Sequence, residues 1–335
     1  MRSFPGKGIY QRACRAAGRQ TARALAPFRH CDISIFHDFV PPPAGGGHQF
    51  LRALKREWER RGFRVEVNTV SGSTRACLLN SFNFDADRFR VLRRANCRTI
   101  HRVDGPLAVY RGIDDGTDRK IADWNREFAQ GTVMQSRFSL QAHEEMGLGF
   151  RDPVVIPNAA DPEIFFPSDR VSPPTGRKLR VLSASWSDNR NKGADVYEWL
   201  DRNLDFDRVD YTFVGRLPSP MSRIRVLPPM PSPQLADLLR TQDIYLTASR
   251  NDPCSNSLIE ALSCGLPAVY LKSGGHPEIV GEAGIGFESA EEIPALLERI
   301  AEEVEIYRGK IRGPRIEEVA YRYLKVLGLT YEVTL

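Results

Sequence analysis

The sequence predicts an α/β protein of two domains. Its 335 residues, 41% of them hydrophobic, are enough to bury two cores of ordinary size. Short apolar runs that read as strands alternate with amphipathic helical patterns along most of the chain, which is typical of βαβ units. A polar, proline-rich stretch over 168–178 divides these units into two groups, and it predicts an interdomain linker.

Residues 1–30 carry seven arginines and lysines and no acidic residue. We expect a disordered or loosely helical basic tail, with an arginine-rich arm on anionic lipid as the alternative. The segment lacks the compact apolar region of a secretion signal, and no run in the chain is long enough to cross a membrane. The expected location is therefore cytoplasmic, or peripheral at the inner membrane face through residues 1–30.

The net charge of +5 and the pI of about 8.9 are a modest basic excess. Such an excess suits an anionic substrate or a membrane surface, and it is too weak to predict nucleic acid as a partner. The six cysteines show neither a CxxC pair nor another metal-binding spacing. We expect reduced thiols and no metal site.

The first domain opens with a predicted strand over 33–40, a loop over 41–47 that ends in three glycines, and an amphipathic helix. Gly45, Gly46 and Gly47 would let the backbone approach a ligand and leave the helix N-terminus open to an anion. Their spacing is not the GxGxxG of dinucleotide-binding folds, so a flexible surface loop stays an alternative.

The next strands carry one candidate site residue. The pattern from Cys97 predicts a strand that ends at His101, and ligands of open α/β sheets collect at the carboxyl ends of strands. A purely structural histidine remains the alternative. The two acids of Asp85–Asp87 precede a helical pattern, so they are predicted to cap a helix rather than to bind metal. Further helices are predicted over 117–130 and from Ser136, and further strands over 132–135 and 153–157.

The second domain begins with a predicted strand over 179–186, and Lys192 lies just before the helix over 194–204. A lysine ahead of a helix start can meet a phosphate with its own charge and with the helix N-terminus. Predicted strands follow over 211–218 and 224–227, and predicted helices over 232–240, 291–308 and 315–327.

The most informative stretch is 249–282, which follows a buried strand and enters a helix near Ser255. Asp252 and Glu260 bracket the turn with seven residues between them, and Glu260 shares a helix face with Asn256 and Ser257. Two carboxylates for hydroxyl groups and free helix amides for a phosphate would together hold a nucleotide sugar. The alternative is that Asp252 starts a turn and Glu260 is an exposed helix residue.

This stretch resembles the E-x7-E signature of retaining GT-B glycosyltransferases of the family 4 type. The run from Glu260 to Val269, EALSCGLPAV, matches the EA-small-x-G-x-P-x-V/I sequence that follows the signature. Aspartate at 252 replaces the first glutamate, which keeps the charge and shortens its reach. The resemblance extends over roughly 33–300, and it implies a GT-B fold of two Rossmann-like domains that face a cleft.

The resemblance also implies roles for individual residues. Asp252 would orient sugar hydroxyls, Glu260 the ribose, and His101 the sugar from across the cleft. Lys192 would hold the diphosphate, and Arg190 is expected to replace the family arginine, whose place Ser185 and Trp186 occupy. The candidate catalytic residues are therefore His101, Asp252, Lys192 and Arg190. The candidate donor-binding residues are Gly46, Gly47, Lys192, Cys254, Ser255, Asn256, Ser257 and Glu260.

The implied reaction is glycosyl transfer with retention at the anomeric carbon, without a metal or other cofactor. The expected partners are a UDP-, GDP- or ADP-linked sugar and a glycan, lipid-linked or other hydroxyl acceptor in cell-surface polysaccharide or glycoconjugate synthesis. Two alternatives stay open, because fold alone does not separate them. One is a non-catalytic protein that binds nucleotide sugars or acts as a scaffold, and the other is a GT-B epimerase of the nucleotide sugar.

Overall fold

The computed structural model describes residues 30–41, 45–168 and 176–329. Two parallel six-stranded sheets with helices on their faces account for these residues, so the predicted α/β fold of two Rossmann-like domains is confirmed. The predicted tail over 1–30 lies outside the described residues except for His30, and most of the predicted linker over 168–178 does as well. Among the described residues, no helix has the length and apolar character needed to cross a membrane.

The first domain contains six strands and five helices within 30–168. In chain order they are β1 (Ile33–Phe36), α1 (Gly46–Arg60), β2 (Val65–Val67), β3 (Ala76–Asn80), α2 (Ala86–Leu92), β4 (Arg98–Val103), α3 (Leu107–Tyr110), α4 (Thr117–Phe128), β5 (Gly131–Met134), α5 (Arg137–Glu145) and β6 (Pro153–Val155). Asp85 accepts a hydrogen bond from the backbone N–H of Arg88, and Ser136 accepts one from Ser139, so both predicted helix caps are present.

The second domain lies within 176–329. Its elements are β7 (Leu179–Ser185), α6 (Ala194–Asn203), β8 (Val209–Gly215), β9 (Arg225–Leu227), α7 (Ser232–Leu239), β10 (Ile244–Thr247), α8 (Asn256–Ser263), β11 (Ala268–Leu271), α9 (His276–Val280), β12 (Gly284–Phe287), α10 (Ile293–Glu302), α11 (Val304–Gly309) and α12 (Ile316–Val326). A short 3-10 turn over Arg190–Lys192 precedes α6.

The order of the strands locates the place where a ligand would bind. The first sheet runs β2-β1-β3-β4-β5-β6, and the second runs β12-β11-β10-β7-β8-β9. The chain reverses its direction of travel across the sheet between β1 and β3 in the first domain, and between β7 and β10 in the second. Ligands of open parallel sheets bind outside the carboxyl ends of the strands at such switch points. The loops after these four strands are therefore the structural candidates for a site.

The last helix packs on the first domain rather than on the second. The predicted apolar face of α1, which includes Phe50, Leu54 and Trp58, is buried in one cluster with α12. Tyr323 of α12 lies against Phe50 and Trp58, and the Trp58 indole N–H donates to the carbonyl of Ala320 over 3.2 Å. The chain therefore crosses between the domains twice, which ties the two sheets together at this side of the molecule.

Candidate functional site

A cleft of about 770 Å³ lies between the carboxyl ends of the two sheets. The first domain lines it with the loops that follow β1, β3 and β4. The second domain lines it with the loops that follow β7, β8 and β10 and with the start of α8. Both switch points of the strand order therefore open onto the same cavity.

Lys192 and Asp252 meet on the second-domain wall, and the Lys192 ammonium donates to Asp252 Oδ2 over 2.7 Å. Asp252 is only 7% exposed. Burial by itself would raise the pKa of this carboxyl. The charge of Lys192, together with His276 and hydrogen bonds from Lys192 and the Cys254 backbone N–H, outweighs that effect and holds the pKa below its ordinary value. The pair leaves one ammonium and one carboxylate oriented at the cleft.

The position of Lys192 depends on the glycine that follows it. Gly193 has φ +92°, a left-handed conformation that glycine adopts without a steric penalty, and it ends the 3-10 turn and begins α6. A Cβ at this position would lie 2.5 Å from the Cβ of Ala248, next to the end of β10. Lys192 therefore lies close to the loop that carries Asp252.

Glu260 lies on the same wall and is 8% exposed. No cation pairs with it among the described residues, and burial alone raises the pKa of its carboxyl to about 8. Asp252 and Glu260 are thus both buried, which corrects the alternative that Glu260 is an exposed helix residue. The structure accommodates them in two ways, because Asp252 is paired with a lysine and Glu260 favours its protonated form.

The replacement Glu260→Gln should stabilise the protein in a pH-dependent way. The folded state holds the Glu260 proton up to a pKa of about 8, whereas the unfolded chain releases it near the ordinary glutamate pKa of 4.5. The contribution of Glu260 to the free energy of unfolding of the wild type is fully present below its pKa in the unfolded state. As the pH rises further, this contribution falls by up to ~1.4 kcal/mol per pH unit until the pKa in the folded state is reached. Urea unfolding at pH 5, 7 and 9 should show an advantage of the variant that grows from pH 5 to about 8. A constant difference would contradict the raised pKa.

The start of α8 brings the predicted donor-binding residues together. Cys254, Ser255, Asn256 and Ser257 all line the cleft beside Glu260. The first turn of α8 contains no acidic residue, so the positive end of its dipole is not neutralised from within the helix. Burial raises the pKa of the Cys254 thiol to about 12, so this side chain stays an uncharged thiol.

The glycine turn of the first domain lies directly opposite α8. Gly46 and Gly47 line the cleft, as does Gly45. A Cβ built on Gly46 would stand 2.3 Å from the Cβ of Asn256, whereas one on Gly47 would meet nothing within 4 Å. Of these two glycines, Gly46 is therefore the one that the close approach of the domains requires.

His101 does not take the position that the sequence predicted for it. Strand β4 continues for two residues beyond His101, to Val103, so the histidine is inside the strand and not at its end. Its side chain is fully buried against Phe84, and Nε2 lies 2.9 Å from the carbonyl oxygen of Ser81. Burial lowers the pKa of His101 to about 4. It is absent from the cleft lining, which corrects the expectation that it faces a sugar.

Arg102 and Asp104 occupy the cleft at this strand end instead. Neighbouring strand residues point to opposite faces of the sheet, so a strand that places His101 on one face places Arg102 on the other. The Arg102 guanidinium is buried, and it donates to Asp104 Oδ1 over 2.9 Å and to Asn158 Oδ1 over 2.9 Å. Gln135 also donates to Asp104 Oδ1. Asp104 is thus a carboxylate anchored through one oxygen at the carboxyl end of β4, on the first-domain wall.

Arg190 also lies elsewhere than expected. Its side chain is 64% exposed, its nearest acidic partner is Glu198 at 3.7 Å, and it does not line the cleft. The loop that carries it forms a 3-10 turn that directs Lys192 inward and Arg190 outward. Among the described residues, Lys192 is the one lysine or arginine that the second domain contributes to the lining. The expectation that Arg190 replaces the family arginine is therefore corrected.

Trp186 occupies the place of that arginine in the cleft. It is 40% exposed, and the Arg216 guanidinium stacks 4.6 Å from the centre of its ring. Arg216 also donates to the carbonyl oxygen of Trp186 over 2.9 Å. The indole therefore offers the cleft a flat apolar surface that is held in place from behind.

The C-terminal end of α3 closes one end of the cleft by contacting the second domain. The side chain of Asn189 donates to the carbonyl of Arg111 over 3.2 Å, and that of Asn251 donates to the carbonyl of Val109 over 3.4 Å. Tyr110 and Arg111 line the cavity. No local sequence pattern predicts this contact, because it joins residues that are about 80 to 140 positions apart. No group of three metal-ligating side chains occurs within 30–41, 45–168 and 176–329.

Known proteins share this fold and part of this sequence. The family described as glycosyl transferases group 1 matches residues 208–304. The GPI3 subunit of phosphatidylinositol N-acetylglucosaminyltransferase from Saccharomyces cerevisiae is 27% identical over 177 residues. That alignment covers 47% of this chain and 38% of the yeast protein, so the chain matches well under half the length of this curated relative.

Two solved structures are similar over most of their length. Sucrose-phosphate synthase from Thermosynechococcus elongatus has a TM-score of 0.65 at 12% identity, with 90% of this chain and 95% of that chain covered. The Anabaena protein HepE, solved in complex with UDP-glucose, has a TM-score of 0.61 at 15% identity, with 88% and 96% covered. At these identities the likeness concerns the fold.

Proposed function

We propose that this chain, which has the GT-B fold and matches the glycosyl transferases group 1 family over 208–304, transfers a sugar from a nucleotide-diphosphate sugar to a hydroxyl acceptor, with retention at the anomeric carbon. One observation carries the proposal. Lys192, Asp252 and Glu260 converge with the start of α8 on one wall of the interdomain cleft. A cation, helix amides and two carboxyl groups on one wall match the diphosphate, ribose and sugar of such a donor.

The second domain holds the donor in this proposal. Lys192 and the free amides at the start of α8 bind the diphosphate, and their contribution grows as negative charge develops on it during bond cleavage. Glu260 binds the ribose hydroxyls. With a pKa of about 8 its carboxyl is mostly protonated at neutral pH, so it donates one hydrogen bond and accepts others.

The two remaining carboxylates orient the transferred sugar. Asp252 lies on the second-domain wall and Asp104 on the first, and each is anchored by a basic side chain, Lys192 or Arg102. Both are therefore committed to accepting hydroxyl hydrogen bonds rather than to attacking the anomeric carbon. The acceptor oxygen forms the new bond on the face that the diphosphate leaves. The old C–O electron pair stays with the diphosphate, and a diphosphate oxygen takes the acceptor proton.

The donor, the acceptor and the surroundings are part of the proposal. HepE was solved with UDP-glucose and the yeast relative is named for N-acetylglucosamine transfer, so UDP-linked hexoses are the first donors to test. The acceptor is a glycan or lipid-linked hydroxyl in polysaccharide or glycoconjugate synthesis. The reaction needs no bound metal or other cofactor, and the basic residues of 1–30 contact an anionic membrane surface.

The deciding experiment incubates the full chain with a panel of UDP-, GDP- and ADP-sugars, with and without EDTA. Mass spectrometry detects released nucleotide or isomerised sugar, and NMR of the product reports the anomeric configuration. Isomerised sugar without release would identify an epimerase, and binding without turnover would identify a binding protein. As a control, Glu260→Ala should weaken binding of the active donor by about tenfold to a hundredfold, since a buried hydrogen-bonding group to the ribose is lost.

A further inference from the structure

A continuous chain of hydrogen-bonding side chains runs along the first-domain wall of the cleft. Arg102 donates to Asn80 Oδ1 over 2.6 Å. Asn80 Nδ2 lies 3.1 Å from Nδ1 of His37, and Nε2 of His37 lies 2.8 Å from Nδ1 of His48. Arg102, Asn80 and His37 are buried, and all four side chains line the cleft.

The protonation of this chain follows from its buried arginine. A guanidinium has only donors, so Asn80 must accept with Oδ1 and present its amide N–H₂ to His37. His37 Nδ1 is then an acceptor, and a neutral His37 carries its proton on Nε2. That proton is donated to His48 Nδ1, so a neutral His48 carries its own proton on Nε2. One residue at the base of the chain thereby determines the tautomers of both imidazoles.

The surroundings favour neutral rings at both positions. Burial lowers the pKa of His37 to about 3, with His48 and Arg102 adding to the effect. Burial also lowers the pKa of His48, and the charge of Arg52 acts in the same direction. Phe39 packs against His37, and the backbone of His37 is bonded twice to the side chain of Asn68, so the first ring is held firmly.

The outer end of the chain is open. His48 Nε2 makes no hydrogen bond to any of the described residues, and it is not among the enclosed polar atoms. His48 belongs to the first turn of α1, two residues after Gly46, which faces α8 across the cleft. We propose that His48 presents its Nε2–H as a fixed, uncharged donor to an oxygen of the bound nucleotide sugar, and that Arg102, Asn80 and His37 are positioning residues that lock this tautomer.

This inference rests on the proposed function for the identity of the ligand, while the tautomers stand on the hydrogen-bond chain alone. With its tautomer fixed, the Nε2–H of His48 can bond only to an atom that has a lone pair, such as a hydroxyl or phosphate oxygen. An N–H or ammonium group at that place would be disfavoured. The neutral ring also contributes a hydrogen bond whose strength does not change over the physiological pH range. His48 would thus select an oxygen at a defined position on the first-domain wall.

The variant Asn80→Asp reverses the chain while changing little volume. A carboxylate accepts from Arg102 and also from His37, so His37 must move its proton to Nδ1. Its Nε2 then accepts from His48, which moves its proton to Nδ1 and leaves Nε2 as a lone pair. Nitrogen-15 NMR of histidine-labelled full-length protein distinguishes the two tautomers, with His48→Gln used to assign the signals. We expect Nε2–H at His48 in the wild type and Nδ1–H in Asn80→Asp.

Ligand binding tests the other half of the proposal. Asn80→Asp should lower the affinity for the nucleotide sugar identified in the panel by about tenfold, because one hydrogen bond to a charged or strongly polar group contributes about that much. Asn83→Asp is the matched control, because Asn83 lines the same cleft and its side chain is not in the chain. It should leave both tautomers as they are. His48→Gln, which keeps a neutral N–H donor, should retain more affinity than His48→Leu.

The outcomes separate the possible ligands and the possible failures. If Asn80→Asp loses equal affinity for the nucleoside diphosphate and for the nucleotide sugar, the oxygen that accepts from His48 belongs to the diphosphate. If it loses affinity for the nucleotide sugar alone, that oxygen belongs to the sugar. A proton on Nδ1 of His48 in the wild type would overturn the inference that the hydrogen-bond chain fixes the Nε2–H tautomer. A flipped tautomer with unchanged donor affinity overturns the ligand role. A wild type that binds no nucleotide sugar overturns the proposed function and with it the ligand of His48, while the tautomer measurement remains valid.

Discussion

Replacing Lys192 by methionine should lower the turnover number by about a hundredfold to a thousandfold, which is the usual effect of removing one group that stabilises developing negative charge. The ground-state affinity for the donor should fall much less. Among the described residues Lys192 is the one basic side chain that the second domain contributes to the cleft, so no other cation of that wall takes over its charge. Steady-state kinetics and calorimetry on the same variant separate the two effects.

Two further variants guard this result against a simple folding defect. Lys192→Met leaves the buried Asp252 without its cation, which should reduce thermal stability. The double variant Lys192→Met/Asp252→Asn removes both charges, so it should recover stability and remain inactive. Arg190→Ala is the matched cation control, because its side chain is two residues away, exposed and outside the cleft lining. Wild-type turnover in Lys192→Met would show that the lysine serves only to hold Asp252.

The residues that could be predicted from the sequence lie within single strand–turn–helix units. Lys192 stands directly before a helix, and Asp252 and Glu260 flank one turn, so short-range geometry determines where each points. Their order on the cleft wall follows from the strand that precedes them. The pairing of Lys192 with Asp252 was not predictable, because it joins loops after β7 and β10 that only the sheet order makes neighbours.

The expectations that the structure corrects, and the contacts that the sequence did not predict, also have physical causes. The sequence pattern predicts that β4 ends at His101, but the strand continues to Val103, so His101 lies inside it. His101 and Arg102 point to opposite faces of the sheet, and the face of Arg102 is the one that reaches the cleft. Arg190 is the loop arginine expected to replace the family arginine, yet a 3-10 turn directs it outward while Lys192 points into the cleft. The chain from Arg102 to His48 joins β4, the end of β3, the loop after β1 and the first turn of α1, and no local pattern marks such a contact.

Placing a methyl group on Gly46 should separate the two domains and lower turnover by about a hundredfold, since displacements near 1 Å at a reacting centre have effects of that size. The added Cβ would lie 2.3 Å from Asn256 Cβ and 2.7 Å from its Cγ. These atoms are at the base of the side chain, so a rotamer change does not relieve the overlap. The start of α8 must move away, and with it the hydrogen bond of 3.0 Å between Asn158 and Asn256.

The matched control is Gly47→Ala, because a Cβ at Gly47 meets nothing within 4 Å and both positions lie in the first turn of α1. Alanine favours the helix at either site, so local helix stability changes in the same direction in both variants. Small-angle scattering should show a more open particle for Gly46→Ala and the wild-type profile for Gly47→Ala. Wild-type turnover and scattering in Gly46→Ala would mean that the cleft works without this close approach, and that the two walls act from a greater distance than the structure places them.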